Sequence, residues 1–137
     1  MNASLRRKLE AIERTLDKMM NRSGSGIPTI VEGRNDKEAL RVLKIPGKIM
    51  CLKASSSSFY DFTASVAHNR EVTILTDFDR EGTRLAAKLM HELTHMGVKV
   101  DFTIWKKLKA LCRSEIRTVE ELASYVDRLR TDLEQDA

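Results

Sequence analysis

The fold is decided by one stretch of eleven residues, Val72-Thr73-Ile74-Leu75-Thr76-Asp77-Phe78-Asp79-Arg80-Glu81-Gly82. An apolar, β-branched run ends there at three carboxylates, and a helical pattern begins directly after them. A strand, an acidic turn and a helix in this order are typical of α/β proteins, which bind ligands at the carboxyl end of their sheet. Crowded carboxylates repel one another unless a cation neutralises them, so the stretch also predicts a divalent cation held by oxygen ligands.

The composition indicates one folded domain. The chain has 137 residues, of which 42% are hydrophobic and 32% charged, and this is enough to bury a sizeable core. The net charge of +4 is compatible with a nucleic-acid partner. Cys51 and Cys112 lack the spacing of metal ligands, which favours reduced thiols. The sequence predicts neither a secretory signal nor a membrane span, so we expect a cytoplasmic protein with no membrane partner.

Three segments are predicted along the chain. They are an amino-terminal helical arm and hinge at 1–26, an α/β domain at 27–104, and a basic segment with a carboxyl-terminal helix at 105–137. The arm carries an apolar stripe with helical spacing, formed by Leu5, Leu9, Ile12, Leu16 and Met19. We expect the stripe to pack on the domain, and contact with another protein or a second copy of the chain is the alternative.

The central domain alternates predicted strands with predicted helices. Apolar or alternating runs predict four strands, at 29–31, 49–52, 72–76 and 98–104. This order implies right-handed crossovers and a mostly parallel four-stranded sheet with helices on both faces. Because the carboxyl ends of parallel strands meet at one edge of the sheet, Glu32 and Gly33 are expected beside the turn that holds Asp77.

The acids at this edge are suited to phosphoryl transfer with a metal ion. Asp77 and Asp79 can face one cation, and Glu32 can complete the site or act as a general base. Glu81 lies in the first turn of the next helix, where the helix dipole favours a carboxylate, so capping explains it equally well. Mg²⁺ is the expected cofactor, with Mn²⁺ as the alternative.

Several polar side chains are candidates for contacts with phosphate groups. They are Arg34, Lys37, Lys53 and Arg80 near the acids, Lys106 and Lys107 in the basic segment, and Ser56 in a serine-rich loop that opens a helix. In each case a solvated surface residue or a helix cap is the alternative.

The two acidic motifs together resemble the Toprim domain. Glu32-Gly33, then Asp36, is followed after the second predicted strand by Thr76-Asp77-Phe78-Asp79-Arg80-Glu81-Gly82. This domain is shared by type IA and type II topoisomerases, bacterial-type primases and the maturases of 5S ribosomal RNA. The resemblance covers about residues 27–104, and the whole chain is most similar to small, mostly archaeal stand-alone Toprim proteins. It implies a Rossmann-like Toprim fold, with an additional helix at each terminus.

The resemblance also implies roles for individual residues. Glu32 would be a general acid/base or a metal ligand, and Asp77 and Asp79 would bind Mg²⁺ with help from Glu81. Only two tyrosines, Tyr60 and Tyr125, are present, and no topoisomerase gate or primase zinc module is recognisable.

Metal-dependent hydrolysis of nucleic acid by water is the family chemistry that remains. The expected function is therefore that of a nuclease or RNA-processing hydrolase, with RNA favoured over DNA. The alternative is a non-catalytic metal-binding module that binds nucleic acid or a nucleoprotein partner.

A second pattern predicts a different chemistry. His91-Glu92-Leu93-Thr94-His95 matches the H-E-x-x-H pattern of zinc metallopeptidases on a predicted helix. At about 100° per residue, Leu85, Leu89, Leu93 and Met96 form the apolar stripe of that helix. The two histidines then fall on the opposite side, so we expect a solvent-facing surface rather than a zinc site.

Overall fold

The computed structural model of the protein describes residues 2–54 and 57–135. Its helices and strands alternate through most of the chain, in the order α1 (Asn2–Gly24), β1 (Thr29–Val31), α2 (Arg34–Val42), β2 (Ile49–Cys51), α3 (Phe59–Val66), β3 (Glu71–Ile74), α4 (Arg80–His95), β4 (Lys99–Asp101), α5 (Thr103–Cys112) and α6 (Leu122–Gln135). A 3₁₀ turn, Val119–Glu121, leads into α6.

The four strands form one parallel sheet in the order β2-β1-β3-β4. The predicted α/β fold with a four-stranded parallel sheet is therefore confirmed. The chain winds from β1 to β2 on one side and then returns to place β3 on the other side of β1. The gap between the ends of β1 and β3 is thus the topological switch point, where open α/β sheets bind ligands.

Helix α1 is an integral part of the fold. It packs against α5 and α6, and its apolar stripe is buried except for the partly exposed Leu5, with Ile12 and Met19 fully inaccessible. At its carboxyl end, Arg22 donates a hydrogen bond to Thr73 Oγ1 at 2.8 Å and forms an ion pair with Glu71 at 2.9 Å. The expectation that the stripe packs on its own domain is confirmed.

The predicted strand at 98–104 is too long. Strand β4 ends at Asp101, whose carboxylate accepts hydrogen bonds from the backbone N–H and the hydroxyl of Thr103, each at 2.7 Å. These bonds turn the chain into α5, and Ile104 reaches the core from a helix instead of a strand. The alternating apolar pattern continued by chance into residues that also have helical spacing, and the local cap decided between them.

The H-E-x-x-H pattern lies on α4 as expected. His91 and His95 are exposed, whereas Leu89 and Leu93 are fully buried. Met96 is 41% exposed, because it follows the last residue of α4. Within residues 2–54 and 57–135, no helix is long and apolar enough to cross a membrane.

Candidate metal centre

The carboxylate of Glu32 fills the gap between β1 and β3. The backbone ladder ends where Leu75 N donates to Ile30 O at 2.8 Å. The next donor, Asp77 N, bonds to Oε2 of Glu32 at 2.8 Å. Glu32 is only 5% exposed, so its side chain extends the hydrogen-bond ladder where the two backbones diverge. The sequence prediction that Glu32 and the Asp77 turn converge is met by this direct contact.

The second oxygen of Glu32 is held by Lys53. The distance from Lys53 Nζ to Glu32 Oε1 is 3.3 Å, and the lysine side chain is 57% exposed. The backbone N–H of Lys53 also donates to Glu32 O at 2.8 Å, which fixes the start of the loop after β2. An ion pair with one exposed partner contributes little to stability. A metal cation can therefore replace Lys53 at Glu32, or a phosphate can replace Glu32 at Lys53, at low cost.

The Asp77 turn is held from the other side by the carboxyl-terminal part of the chain. Val119 N donates to Asp77 Oδ1 at 2.8 Å, and Phe78 N donates to Arg117 O at 2.8 Å. Trp105, which is 7% exposed, donates its indole N–H to Thr76 O at 2.9 Å. Trp105 is therefore a core residue that positions the turn, and its own ring is too buried to stack on a base.

Burial and the negative charges of neighbouring residues both act on the carboxyl group of Asp77. Burial is the largest cause that raises its pKa, which reaches about 7, and the backbone N–H of Val119 acts in the opposite direction. The charges of Asp36, Glu32 and Asp79 raise the pKa further. A carboxyl group kept partly protonated at neutral pH by burial and by neighbouring carboxylates is suited to a divalent cation, which would neutralise the charge and release the proton.

Asp36 also belongs to the acidic residues around Asp77, although the sequence did not indicate this role. Its Oδ2 accepts a hydrogen bond from Gly33 N at 3.0 Å, which is the capping role that its position in the first turn of α2 predicts. It is also only 6% exposed, and its charge acts on Asp77. Burial raises the pKa of Asp36, the N–H of Gly33 lowers it, and the charges of Glu32 and Glu120 raise it again. Its second role depends on the proximity of β3, which its local sequence does not indicate.

Asp79 is the amino-terminal cap of α4. Its Oδ1 accepts a hydrogen bond from Gly82 N at 2.7 Å, and its backbone carbonyl accepts one from the Thr83 hydroxyl at 2.8 Å. One carboxylate oxygen is therefore committed to the helix, and the charge of the group still acts on Asp77.

The two roles of Asp79 can be separated by substitution. Asparagine caps a helix nearly as well as aspartate, whereas alanine at this position costs about 1 kcal/mol. We therefore expect Asp79→Asn to unfold at the urea concentration of the wild type in EDTA, and Asp79→Ala to unfold earlier, while both bind Mg²⁺ more weakly by calorimetry. Equal destabilisation by both substitutions would contradict the capping role.

The acidic centre opens into a small cleft of about 290 Å³. Its lining residues come from β1, α2, the loop after β2, the Asp77 turn and the segment before α6, and they are Glu32, Gly33, Arg34, Asn35, Asp36, Lys53, Asp77, Thr118 and Glu120. We call this the acidic cleft. Thr118 and Glu120 are site residues that the sequence analysis missed, since only tertiary contact brings that segment to the sheet edge.

The remaining sequence candidates lie outside the acidic cleft. Glu81 and Arg80 are exposed, and Glu81 Oε2 forms a surface ion pair with Arg84 at 3.1 Å. Lys37 is half-buried in a neighbouring cleft. Lys106 and Lys107 are exposed on α5. Ser56 lies outside the described residues.

The residues present fit a hydrated metal ion better than an all-protein metal cage. Among the described residues, no three His, Cys, Asp or Glu side chains are grouped closely enough to hold a metal ion by themselves. Mg²⁺ characteristically keeps several waters and binds one or two carboxylates together with substrate phosphates. Asp77, with Asp79 and Glu32 beside it, offers that kind of donor set.

Known proteins resemble this chain in sequence and in fold. Residues 28–104 match the family model of the Toprim domain. A UPF0292 protein of Methanosarcina barkeri is 39% identical over 126 residues, which cover 91% of this chain and 87% of that protein. A UPF0292 protein of Thermoplasma volcanium is 42% identical over 108 residues, covering 78% and 88%. A solved structure of a protein from Aquifex aeolicus is similar with a TM-score of 0.66 and 26% identity, over 80% of this chain and 95% of that chain.

Proposed function

Because this chain belongs to the Toprim domain family, we propose that it hydrolyses phosphodiester bonds in nucleic acid with Mg²⁺, and that RNA is its favoured substrate. Family membership itself indicates divalent-metal binding and a nucleic-acid-related function. The observation that carries the proposal is the buried Glu32 carboxylate, bonded to the backbone of Asp77 at the switch point of the sheet.

The acidic residues divide the work of such a reaction. A bound Mg²⁺ would supply charge stabilisation for the attacking and leaving oxygens. Asp77 and Asp79 would hold the ion, and Asp77 would lose its proton on binding. Glu32 is oriented by the Asp77 N–H and lies in a water-poor position, where it is suited to accept a proton from an attacking water.

The basic residues around the acidic cleft would receive the substrate. Lys53 would exchange its contact with Glu32 for a phosphate oxygen, which frees the carboxylate as the substrate arrives. Arg34 lines the same cleft and is exposed. These cations would offset the repulsion between the phosphodiester and the carboxylates of the acidic cleft.

A second candidate function is a metal-binding module without catalysis, which holds nucleic acid or a nucleoprotein partner. One observation favours it. The exposed Lys106 and Lys107 on α5 offer phosphate contacts outside the acidic cleft.

Cleavage by a Glu32→Gln variant tests the proposal. Glutamine keeps the volume and an acceptor for the Asp77 N–H, but it removes the charge and the basicity. We expect single-turnover cleavage of labelled RNA and DNA hairpins in Mg²⁺ to fall by about a hundredfold or more. A matched Glu10→Gln control, exposed on α1, should cleave like the wild type. Wild-type protein that binds the hairpins at saturating Mg²⁺ and never cleaves them would favour the non-catalytic module.

A further inference from the structure

A second cleft lies directly beside the acidic cleft, between α2 and the edge strand β2. It has a volume of about 530 Å³ and is lined by Arg34, Lys37, Glu38, Arg41, Ile49, Cys51 and Ala54. We call it the α2–β2 cleft. Arg34 lines both clefts, so a polymer bound in one cleft can continue into the other along α2.

The helical wall of the α2–β2 cleft is positively charged. Arg34, Lys37 and Arg41 are three and four residues apart on α2, which places them along one face over about 10 Å. Within the described residues, neither Arg34 nor Lys37 forms an ion pair. Glu38 is the one acid in the lining. The wall therefore carries net positive charge that the protein itself leaves largely unneutralised.

The third cation is fixed in place by the turn before β2. Arg41 donates from Nη1 to Ile45 O at 2.9 Å and from Nη2 to Gly47 O at 2.7 Å. A guanidinium has five donors, so these two bonds leave others for a ligand. A cation held in one orientation loses little entropy when it binds an anion.

The opposite wall is apolar and belongs to the edge of the sheet. It is formed by Ile49 and Cys51 of β2 and by Ala54 in the loop after it, and Cys51 and Ala54 are partly exposed. A ligand that fits both walls has negative charge on one side and a flat or apolar surface on the other.

We propose that the α2–β2 cleft binds the single-stranded segment of nucleic acid that continues from the phosphodiester at the acidic centre. This inference rests on the proposed function and names the form of its substrate. Phosphates would contact the cationic wall, and an unstacked base would lie on the apolar wall. A duplex keeps its bases paired inside, so it would leave the apolar wall without a partner.

The cleft contains its own reporter group. Cys51 lines it, while the only other cysteine, Cys112, is fully buried in the core, where burial raises the pKa of its thiol to about 11. Burial also raises the pKa of the Cys51 thiol, and the charges of Lys37 and Arg34 lower it. A maleimide should therefore modify Cys51 selectively in the folded protein.

The test measures the rate of maleimide modification in EDTA, where no metal-dependent reaction occurs. The probes are a short oligouridylate, an oligothymidylate and a blunt-ended RNA duplex. Fluorescence anisotropy determines the saturating concentration of each. We expect both single strands to slow modification of Cys51 by about tenfold or more, and the duplex to leave the rate nearly unchanged.

Matched variants locate the contact. Lys37→Gln should weaken oligouridylate binding by about tenfold and reduce the salt slope of the affinity by about 0.7. Glu38→Gln removes the one acid from the same lining and should tighten binding. Lys18→Gln, exposed on α1, is the control and should bind like the wild type.

Several outcomes would overturn the inference. These are a bound single strand that leaves Cys51 fully reactive, equal protection by the blunt-ended duplex, or no binding by any single strand. If a bound single strand protects Cys51 but the protein never cleaves nucleic acid, the result would support binding in the α2–β2 cleft and would contradict only the proposed catalysis. Cleavage that depends on Glu32 with an unprotected Cys51 would leave the proposed function standing and remove this one.

Discussion

An Asp77→Asn variant of the metal-free protein is expected to be more stable than the wild type at neutral pH. The pKa of Asp77 is raised from 3.8 to about 7 by burial and by the charges of Asp36, Glu32 and Asp79. Between those pH values the folded protein binds more protons than the unfolded chain, so wild-type stability falls as the pH rises. Asparagine can still accept the Val119 N–H bond at Oδ1, and it removes the charge.

The gain should appear in one pH range. We expect about 1–2 kcal/mol at pH 7 and above, because solvent screens this half-buried group, and almost no difference near pH 4. Urea unfolding in EDTA at several pH values measures it. Asp127→Asn, at an exposed position on α6, is the control and should change stability little at any pH. An Asp77→Asn protein less stable than the wild type at pH 8 would contradict the charge crowding.

The same substitution should have the opposite effect on metal binding. A carboxylate must be ionised to bind Mg²⁺, so wild-type affinity is expected to weaken by up to tenfold for each pH unit below about 7. Titration calorimetry should show much weaker binding by Asp77→Asn with no such dependence on this group. A variant that gains stability and keeps full Mg²⁺ affinity would show that the ion binds elsewhere.

Replacement of Gly82 by alanine is expected to be severely destabilising. The added methyl group would fall on the carbonyl oxygen of Asp77 and lie 2.5 Å from its carbonyl carbon. Both are backbone atoms, so no side-chain rotation relieves the clash. Gly82 O also accepts a hydrogen bond from the buried Thr76 hydroxyl at 2.7 Å, and Gly82 N donates one to Asp79 Oδ1 at 2.7 Å. The turn can move only by giving up these bonds, which we expect to cost about 3 kcal/mol or more.

Gly33→Ala provides the matched control. Gly33 follows β1 at the same edge of the sheet, has an extended φ of −143°, and a methyl group there meets no atom within 4 Å. We expect this variant to lose less than about 1 kcal/mol of stability. Some loss is expected because Gly33 is the N-cap of α2, where alanine is less favourable than glycine. Thermal and urea unfolding compare the two variants. A Gly82→Ala protein as stable as Gly33→Ala would show that the turn is more adaptable than the structure indicates.

Much of the site could be predicted because it follows from parallel topology. Once β1 and β3 are recognised as neighbouring strands, Glu32 and Asp77 must meet at one edge, whatever the details of the loops. Helical phase likewise placed His91 and His95 on the exposed side of α4, because one side of that helix has to cover the sheet. These are periodic or topological features, and local sequence is sufficient to specify them.

Other features depended on competition between local patterns. The apolar alternation through Val100 and Phe102 fitted a longer strand, and the side chain of Asp101 ended it by bonding to Thr103. Asp36 fitted a helix cap and is one, but a capping role does not reveal that the same carboxylate is buried beside another acid.

The sequence by itself determined the order of strands and helices and the meeting of Glu32 with the acidic turn, because hydrophobic periodicity and parallel topology are encoded locally. Only the tertiary structure determined the protonation state of Asp77 at this contact. Val119 bonds to Asp77 across 42 positions of the chain, and Trp105 fixes Thr76 from α5. A pKa near 7 arises from burial and from summed charges, both of which depend on distances in space that sequence separation does not give.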